Sequence, residues 1–489
     1  MTDSPVPRLA NSKSVAAIVL AAGKGTRMRS ARHKVLHRLA GKSMLWHVLR
    51  ALHDAGVAAE RTTIVIGDGA AGVRAEVETQ FPGASYLFAL QDQQLGTGHA
   101  ALQARPYVPQ DASVVIVAFG DTPLLQSATV SQLIETHGAK RAPVTLVSGR
   151  LPGSPDLGRI VRDATGRVTE IVENRDATPD QRAIDEVNSG FCAFTPTWLW
   201  SQLPRVTPAR NGEIYLTALP ALAIRGGDGA ESLVLDDVSE AIGVNTREQQ
   251  SGAEATLRRR ITGALLESGV TIQDRSTTYV DAGVVVGSDT TIFANTHLRG
   301  ATRVGSECEI GPNSVITDSV IGNGCRVMAS VLDGAMLEEE VTVGPFAHLR
   351  PQTYCGRGTE VGTGSEIKAS SLGARSRMHH FGYLGDTTVG EGVNVGAGTI
   401  TCNFDGERKH PTRIGDGAFI GSGTLLIAPV EVGDHALTGA GSVVVRDVAA
   451  WTKVVGVPAR VIGARTHSQE QQTQEQRREP NGDDTRPIA

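Results

Sequence analysis

An aliphatic residue followed by glycine recurs every six residues through much of the second half of this 489-residue chain. Ile414-Gly415, Ile420-Gly421, Leu426 and Val432-Gly433 stand six apart, and Thr438 and Val444 keep the register. Earlier come Val304-Gly305 with Ile310-Gly311, Val361-Gly362 with Ile367, and Val389-Gly390 with Val395-Gly396. Such a period fits neither the face of a helix nor the simple alternation of a lone strand. It fits a chain wound into a narrow prism in which each aliphatic points inward. The expectation over residues 270–462 is a left-handed parallel β-helix of hexapeptide repeats.

The first half has a different rhythm. Val15–Leu20, Thr63–Ile66, Val114–Ala118 and Val144–Val147 are short apolar runs, and amphipathic stretches such as Met44–Ala55 and Val130–His137 lie between them. Strand alternating with helix predicts an α/β, Rossmann-like domain with a mostly parallel sheet over residues 15–245, whose ligands bind beyond the carboxyl ends of the strands. Leu257, Ile261 and Leu265 recur at spacing four among Arg258, Arg259 and Arg260, which predicts a helical linker over 246–269. Residues 1–14 are expected to be flexible. The polar stretch 463–489 is expected to be disordered, because it cannot bury enough surface to offset its ordering entropy.

A net charge of −5 argues against a nucleic-acid partner, so anionic substrates must be met by local cations. The five cysteines are scattered and never spaced C-x-x-C, which argues against a disulfide framework or zinc knuckle and fits a reducing cytoplasm. The apolar run Val15–Ala22 is too short to span a bilayer, so no membrane association is expected.

Directly after the first apolar run comes Leu20–Met28, LAAGKGTRM. Gly23 and Gly25 would let the backbone approach a phosphate, and a helix starting there would aim free N–H groups at it. Lys24, Arg27 and Lys34 would add positive charge. The spacing is neither Walker A nor G-x-G-x-x-G, and alone the fragment reads equally well as a tight strand-to-helix loop. Gln91 and the glycine-rich run Leu95–Ala100 form a second such segment, and Asp121 ends an apolar strand, where a magnesium-binding carboxylate belongs.

LAAGKGTRM, KVLHRLAGKSM, QLGTGHA, GDTPL, IVENRDAT, VNSGF and GVNTR run in order across residues 15–247, and in this the chain resembles the sugar-1-phosphate nucleotidyltransferases. The resemblance implies that Leu20, Ala21, Ala22 and Gly23 line a uridine nucleotide with Lys34, Gln91, Gly96 and Thr97. It implies that Arg27 meets the triphosphate of UTP, that Asp121 and Asn245 hold Mg²⁺, and that Gly158, Glu173 and Asn188 contact the sugar. Asp156-Leu157 and Ile214-Tyr215-Leu216-Thr217-Ala218 depart from the family's G-Y-G-R-I and Y-Y-[LI]-T-D.

Within the hexapeptide region, Met378–Asp386 reads MHHFGYLGD. Histidine is suited to accept a proton near neutral pH, and neighbouring His379 and His380 on a strand would face opposite ways. Arg350, Lys368, Asn394, Asn403 and Lys409 interrupt the repeat nearby. G-P-F-A-H-L-R-P, S-E-I-K, H-x-x-Y-L-G-D and V-N-V-G-A-G-T-I-T-C-N-F-D-G resemble the hexapeptide acyl-CoA-dependent acyltransferases. In combination with the first half, they resemble the bifunctional uridyltransferase/acetyltransferases. That resemblance implies His380 as general base toward the amine of glucosamine-1-phosphate, and Glu366 orienting the site. Arg350, Lys368, Tyr383 and Asn394 would hold the sugar phosphate. Ala397, Asn403, Phe404, Ser422 and Ala440 would line acetyl-CoA. It also implies a homotrimer with acetyl-transfer sites between subunits. Phe404 stands where the family has tyrosine, Thr363-Gly364-Ser365 precedes Glu366 in place of the family's N-F-V, and Ala369 replaces a second lysine. A nucleotidyltransferase whose β-helix serves only assembly or regulation is the alternative reading.

Overall fold

The computed structural model describes residues 14–23, 25–67, 69–139, 142–152, 157–172, 177–209 and 212–466. Lys24, Asp156 and Glu173 lie outside the described residues, as do 1–13 of the N-terminus expected to be flexible and 467–489 of the tail expected to be disordered. The start of that tail is ordered, with Gly463 and Ala464 closing the strand Arg460–Ala464 and Arg465 buried, its N–H donating to Trp451 O. The chain divides into two compact units, 1–257 and 258–489.

The first unit is built on a nine-stranded sheet. Its strands are β1 (Val15–Leu20), β2 (Thr62–Ile66), β3 (Leu87–Leu90), β4 (Val114–Phe119), β5 (Val144–Arg150), β6 (Arg159–Arg162), β7 (Val168–Val172), β8 (Glu186–Phe194) and β9 (Glu231–Leu235). The main path runs β9-β5-β8-β4-β1-β2-β3, with the hairpin β6–β7 attached to β8. Every residue of β1 and β2 is buried, as their unbroken apolar runs require of central strands covered on both faces. Helices α1 (Met44–Asp54), α2 (Ala70–Gln80), α3 (Thr97–Gln103) and α4 (Ser127–Ala139) connect them. The Ser43 hydroxyl caps α1 by accepting from Trp46 N.

The sheet is less parallel than expected. β1, β2, β3 and β4 pair in parallel, as do β5 and β9, but β8 runs antiparallel to both β4 and β5. β8 is reached after the β6–β7 hairpin, and a hairpin reverses the chain where a helical crossover would have preserved its direction. Nor does a helix open at the first glycine loop. Gly25 and Arg29 both adopt left-handed conformations, φ 62° and 47°, and leave only one tight turn, Thr26–Met28, between them.

The second unit is a prism. Its short strands fall in turn into three sheets of 12, 10 and 9 strands, parallel throughout except that the last strand, Arg460–Ala464, runs antiparallel to Thr452–Val455. Partners on successive coils stand 16 to 18 residues apart, as in Glu309↔Arg326, Arg326↔Thr342 and Thr342↔Glu360. Ile414, Ile420, Leu426, Val432 and Val444 are all buried, as are Val304, Ile310, Val361, Ile367, Val389 and Val395, in one continuous apolar column, and Thr438 keeps the register as a buried polar residue. The glycines that follow have a steric cause. A Cβ on Gly305 would lie 2.8 Å from Asn323 N, and one on Gly433 would lie 2.5 Å from Ala450 N, so only glycine admits the next coil. One coil is longer: Asn394 pairs with Phe419, and the extra residues 403–411 leave the prism as a loop.

The helix Arg247–Glu267 crosses the division between the units. Within the first unit, Glu254 accepts from Ala40 N at 2.7 Å. Within the second, Ile261 and Leu265 pack against the prism core and the Arg258 guanidinium stacks 3.5 Å from the Tyr279 ring centroid. No helix among the described residues is long and apolar enough to cross a membrane.

Candidate active sites

The carboxyl ends of β1, β3 and β4 enclose a cavity of about 250 Å³. Leu20, Ala21, Ala22 and Gly23 leave β1 along its wall, Gln91 enters from the end of β3, and Asp121 follows β4. Backbone pairing fixes these exits: Ala21 N donates to Val65 O, Gly120 N to Leu20 O, and Gln91 N to Ile66 O, at 2.8 to 2.9 Å. Gly96 and Thr97 form the opposite wall. Gln91 Nε2 donates to Gly96 O at 3.1 Å, and Thr97 Oγ1 accepts from Leu216 N at 2.9 Å.

Gly96 has no substitute there. It holds φ 98° and ψ 177°, and a Cβ would lie 2.6 Å from Ile214 O. Ile214 is one of the residues that depart from the family pattern, and it packs on Gly96 and Gly98, against the glycine-rich loop.

The expected cationic and metal residues converge. Lys34 pairs with the Asp121 carboxylate, and Lys34 Nζ also donates to Asn245 Oδ1 at 2.5 Å. Arg27 Nη2 donates to the same oxygen at 2.8 Å. Val244 N donates to Asp121 O at 2.8 Å, which ties the segment carrying Asn245 to the end of β4. Gly25 gives room for this: a Cβ there would lie 2.5 Å from Lys34 Cβ. Asp121 and Asn245 offer a carboxylate and an amide oxygen side by side, a hard, sparse donor set that suits Mg²⁺ completed by phosphates and water. Among the described residues no three His, Cys, Asp or Glu gather into a fuller metal cage.

Gly158 and Asn188 meet elsewhere, beside the hairpin. Asn188 N donates to Gly158 O at 2.8 Å, and neither residue lines the cavity. Gln94, Phe119 and Glu213 line it without having been singled out from the sequence. Gln94 sat inside a recognised segment, and its Nε2 donates to Ala22 O at 2.7 Å. Glu213 arrives from more than a hundred residues downstream, beyond the reach of local pattern.

In the prism, His379 and His380 occupy the corner between the strands Arg377–Met378 and Gly382–Gly385, not a strand as expected. They diverge nonetheless. Their rings are edge-on with centroids 6.4 Å apart, and His379 Nε2 lies 2.7 Å from Glu360 Oε2, while the exposed His380 ring has no such partner among the described residues. Ser365, one of the departures from the family, is buried and donates from its hydroxyl to His380 O at 2.9 Å, so it holds the corner in place.

Ala397, Ser422 and Ala440 follow His380 up the same corner on successive coils: Gly398 N donates to Phe381 O, Gly423 N to Ala397 O and Gly441 N to Ser422 O. Glu366 and Tyr383 are register partners on the adjacent sheet, and Lys368 pairs with Gly385. Arg350 Nη1 donates to Glu366 Oε1 at 2.9 Å. Gly385 clears space above this sheet; a Cβ there would overlap both Tyr383 Oη and Asn403 Nδ2. The long loop opens with Asn403, whose Nδ2 donates to Asp386 Oδ2 at 2.5 Å, and with the exposed Phe404, bridged to Lys409. The Lys368 ammonium beside Lys409 lowers the latter's pKa, the mark of two cations sharing one spot. Asn394 is not brought to this group. It lies on the sheet of Arg377 and Phe419, a different face of the prism.

Comparison with known proteins agrees with both halves. Residues 17–177 match the MobA-like NTP transferase domain, and residues 283–318 and 411–446 match the bacterial transferase hexapeptide of six repeats. The bifunctional protein GlmU of Heliobacterium modesticaldum is 46% identical over 89% of this chain and 93% of its own length. GlmU of Carboxydothermus hydrogenoformans is 46% identical over 85% of this chain and 91% of its own. GlmU of Syntrophomonas wolfei is 42% identical over 90% and 97%. With a nucleotidyltransferase sheet, a hexapeptide prism and relatives matched along nearly their whole length, the chain belongs to the bifunctional GlmU family.

Proposed function

We propose that this chain carries out two successive transfers. The prism acetylates glucosamine-1-phosphate with acetyl-CoA, and the α/β unit transfers UMP from UTP to N-acetylglucosamine-1-phosphate, giving UDP-N-acetylglucosamine, a cell-wall precursor, and pyrophosphate. The observation that carries the reading is the coexistence in one chain of a strand-end cavity, where Lys34 and Arg27 converge on Asp121 and Asn245, and a prism that carries the exposed corner histidine His380 together with Lys368 beside Lys409.

In the first step, as we read it, the sugar amine attacks the thioester carbon, coenzyme A leaves as the thiolate, and His380 accepts the amine proton. Arg350, held by Glu366, together with Lys368 and Tyr383, receives the sugar phosphate. Ala397, Ser422 and Ala440 offer acetyl-CoA a corner of small side chains, and Asn403 and Phe404 flank it. In the second step a phosphate oxygen of the acetylated sugar attacks the α-phosphorus of UTP, and pyrophosphate leaves. Leu20–Gly23, Gln91, Gly96 and Thr97 position the nucleotide, while Arg27 and Lys34 offset charge on the departing pyrophosphate. Gly158, Glu173 and Asn188 are assigned to the sugar. Asp121 and Asn245 would hold Mg²⁺, which when bound neutralises the phosphates.

Three copies packed through their prisms are part of the proposal. His380 and the small-residue ladder lie on one corner, Arg350 and Lys368 at the far end of the next sheet, and Asn394 on another face. This spread over the prism supports a site completed by a neighbouring copy, which supplies the missing wall.

The test is a pair of assays on the purified protein: free-thiol release from acetyl-CoA with glucosamine-1-phosphate, and pyrophosphate release from UTP with N-acetylglucosamine-1-phosphate. Both are expected. Pyrophosphate release without thiol release would leave the prism an assembly module.

A further inference from the structure

Both groups assigned above to the metal already face cations of the chain itself, Asp121 through Oδ2 and Asn245 through Oδ1. Lys34 pairs with Asp121 and donates to Asn245 Oδ1, and Arg27 donates to that same Asn245 oxygen. Lys34 is 8% exposed, and its stem runs past Gly25, where a Cβ would lie within 2.5 to 3.1 Å of its Cβ, Cγ and Cδ. Its ammonium is thereby aimed along a set path at the two oxygens.

We infer that Lys34 is a displaceable internal counter-ion that keeps a bare divalent cation off Asp121 and Asn245 until a polyphosphate draws the ammonium away. This goes beyond a phosphate-binding role and rests on the reading of Asp121 and Asn245 as metal ligands. A divalent cation and an ammonium at the same carboxylate and amide weaken each other's hold, because like charges a few ångströms apart repel. A triphosphate offers Lys34 and Arg27 replacement anions, so metal and nucleotide bind with positive coupling, each raising the other's affinity by one factor. The lysine thus makes the metal arrive with its substrate.

The experiment measures Mn²⁺ bound to the full-length protein by electron paramagnetic resonance, first without nucleotide. Lys34→Gln is expected to bind Mn²⁺ at least about tenfold more tightly than the natural chain, a floor set by the repulsion between a unit charge and a divalent ion at contact distance even when screened as in bulk water. Lys34→Arg, which keeps the charge, is expected to bind as weakly as the natural chain. The tightening should vanish in Lys34→Gln combined with Asp121→Asn. Unchanged or weaker Mn²⁺ affinity in Lys34→Gln overturns the inference, because a lysine that only met phosphate would leave the free protein's metal affinity alone. Tightening that survives loss of Asp121 also overturns it, since the ion would then sit elsewhere. A separate arm guards the underlying reading: if Asp121→Ala binds Mn²⁺ with UTP as well as the natural chain does, the ligand assignment itself fails, whatever Lys34→Gln does.

Discussion

Replacing Gly96 by alanine tests whether the glycine loop positions the nucleotide or merely turns the chain. At φ 98° and ψ 177° the backbone lies in a region open in practice only to glycine, and holding another residue there costs about 1–3 kcal/mol. The new Cβ would also stand 2.6 Å from Ile214 O and 2.8 Å from Ile214 N, and overpacking of that kind adds about 1–3 kcal/mol. Two outcomes are open to the protein. If the loop stays put, the first unit loses about 2–6 kcal/mol, a large part of the ~5–15 kcal/mol that holds a domain together. If the loop yields, Gly96 and Ile214 must part by roughly 0.8 Å to reach ordinary contact, and a displacement near 1 Å at a reacting site costs on the order of 10²-fold in rate. Pyrophosphate release with varied UTP, read beside thermal unfolding, separates the two. Thiol release, carried by the other compact unit, should be unaffected. Gly23→Ala makes the contrast sharp. Gly23 lines the same cavity, but a Cβ there meets nothing within 4 Å, so activity should fall with no loss of stability. Gly96→Ala with ordinary UTP kinetics would refute the positioning role.

Asp121→Ala should abolish uridylyl transfer while acetyl transfer continues; comparable pyrophosphate release would remove the metal role of this carboxylate. His380→Ala should slow acetyl transfer by about 10²–10⁴-fold, the usual contribution of a general base, whereas His379→Ala should be mild because that ring is turned to Glu360. The reverse ranking would move the base by one residue. Glu186 supports the hairpin that carries Gly158: Arg162 grips it through Nε and Nη2 at 2.7 and 2.6 Å, and Ser148 Oγ donates to it at 2.6 Å. Burial alone would raise its carboxyl, yet Arg162 and Ser148 hold it below its ordinary value. Its stabilisation is therefore present above the unfolded-state pKa and lost as pH falls through the folded one. Glu186→Gln should cost about 3 kcal/mol near neutral pH and flatten the acid limb of the first unit's stability curve; an acid limb of unchanged slope would show the pair to be idle.

The prism could be read from the sequence because its cause is strictly local. Every sixth residue faces the axis, so Ile414, Ile420 and Leu426 announce themselves without knowledge of any neighbour. The uridylyl cavity was legible where its residues leave strand ends, as Leu20, Gln91 and Asp121 do. It was opaque where long-range packing supplies a wall, as Glu213 does. The left-handed turns at Gly25 and Arg29 hid the absence of a helix, because the run between them has ordinary helical composition. Asn394 marks another limit: a period of six says that a residue lies on a prism, while which face it lies on depends on every shortened coil before it.

The loop 403–411 is the place where this coil runs long, and pairing resumes beyond it as if nothing had been inserted: Thr387 meets Thr412, and Val389 meets Ile414. Lengthening a loop costs little free energy, and each coil leans only on its neighbours. The framework is thus indifferent to what this excursion contains. If Phe404 flanks acetyl-CoA as proposed, acyl-donor preference can drift through a handful of positions here as an exchangeable cassette, while the column of aliphatics beneath it keeps the same stability and offers selection no warning that the chemistry has changed.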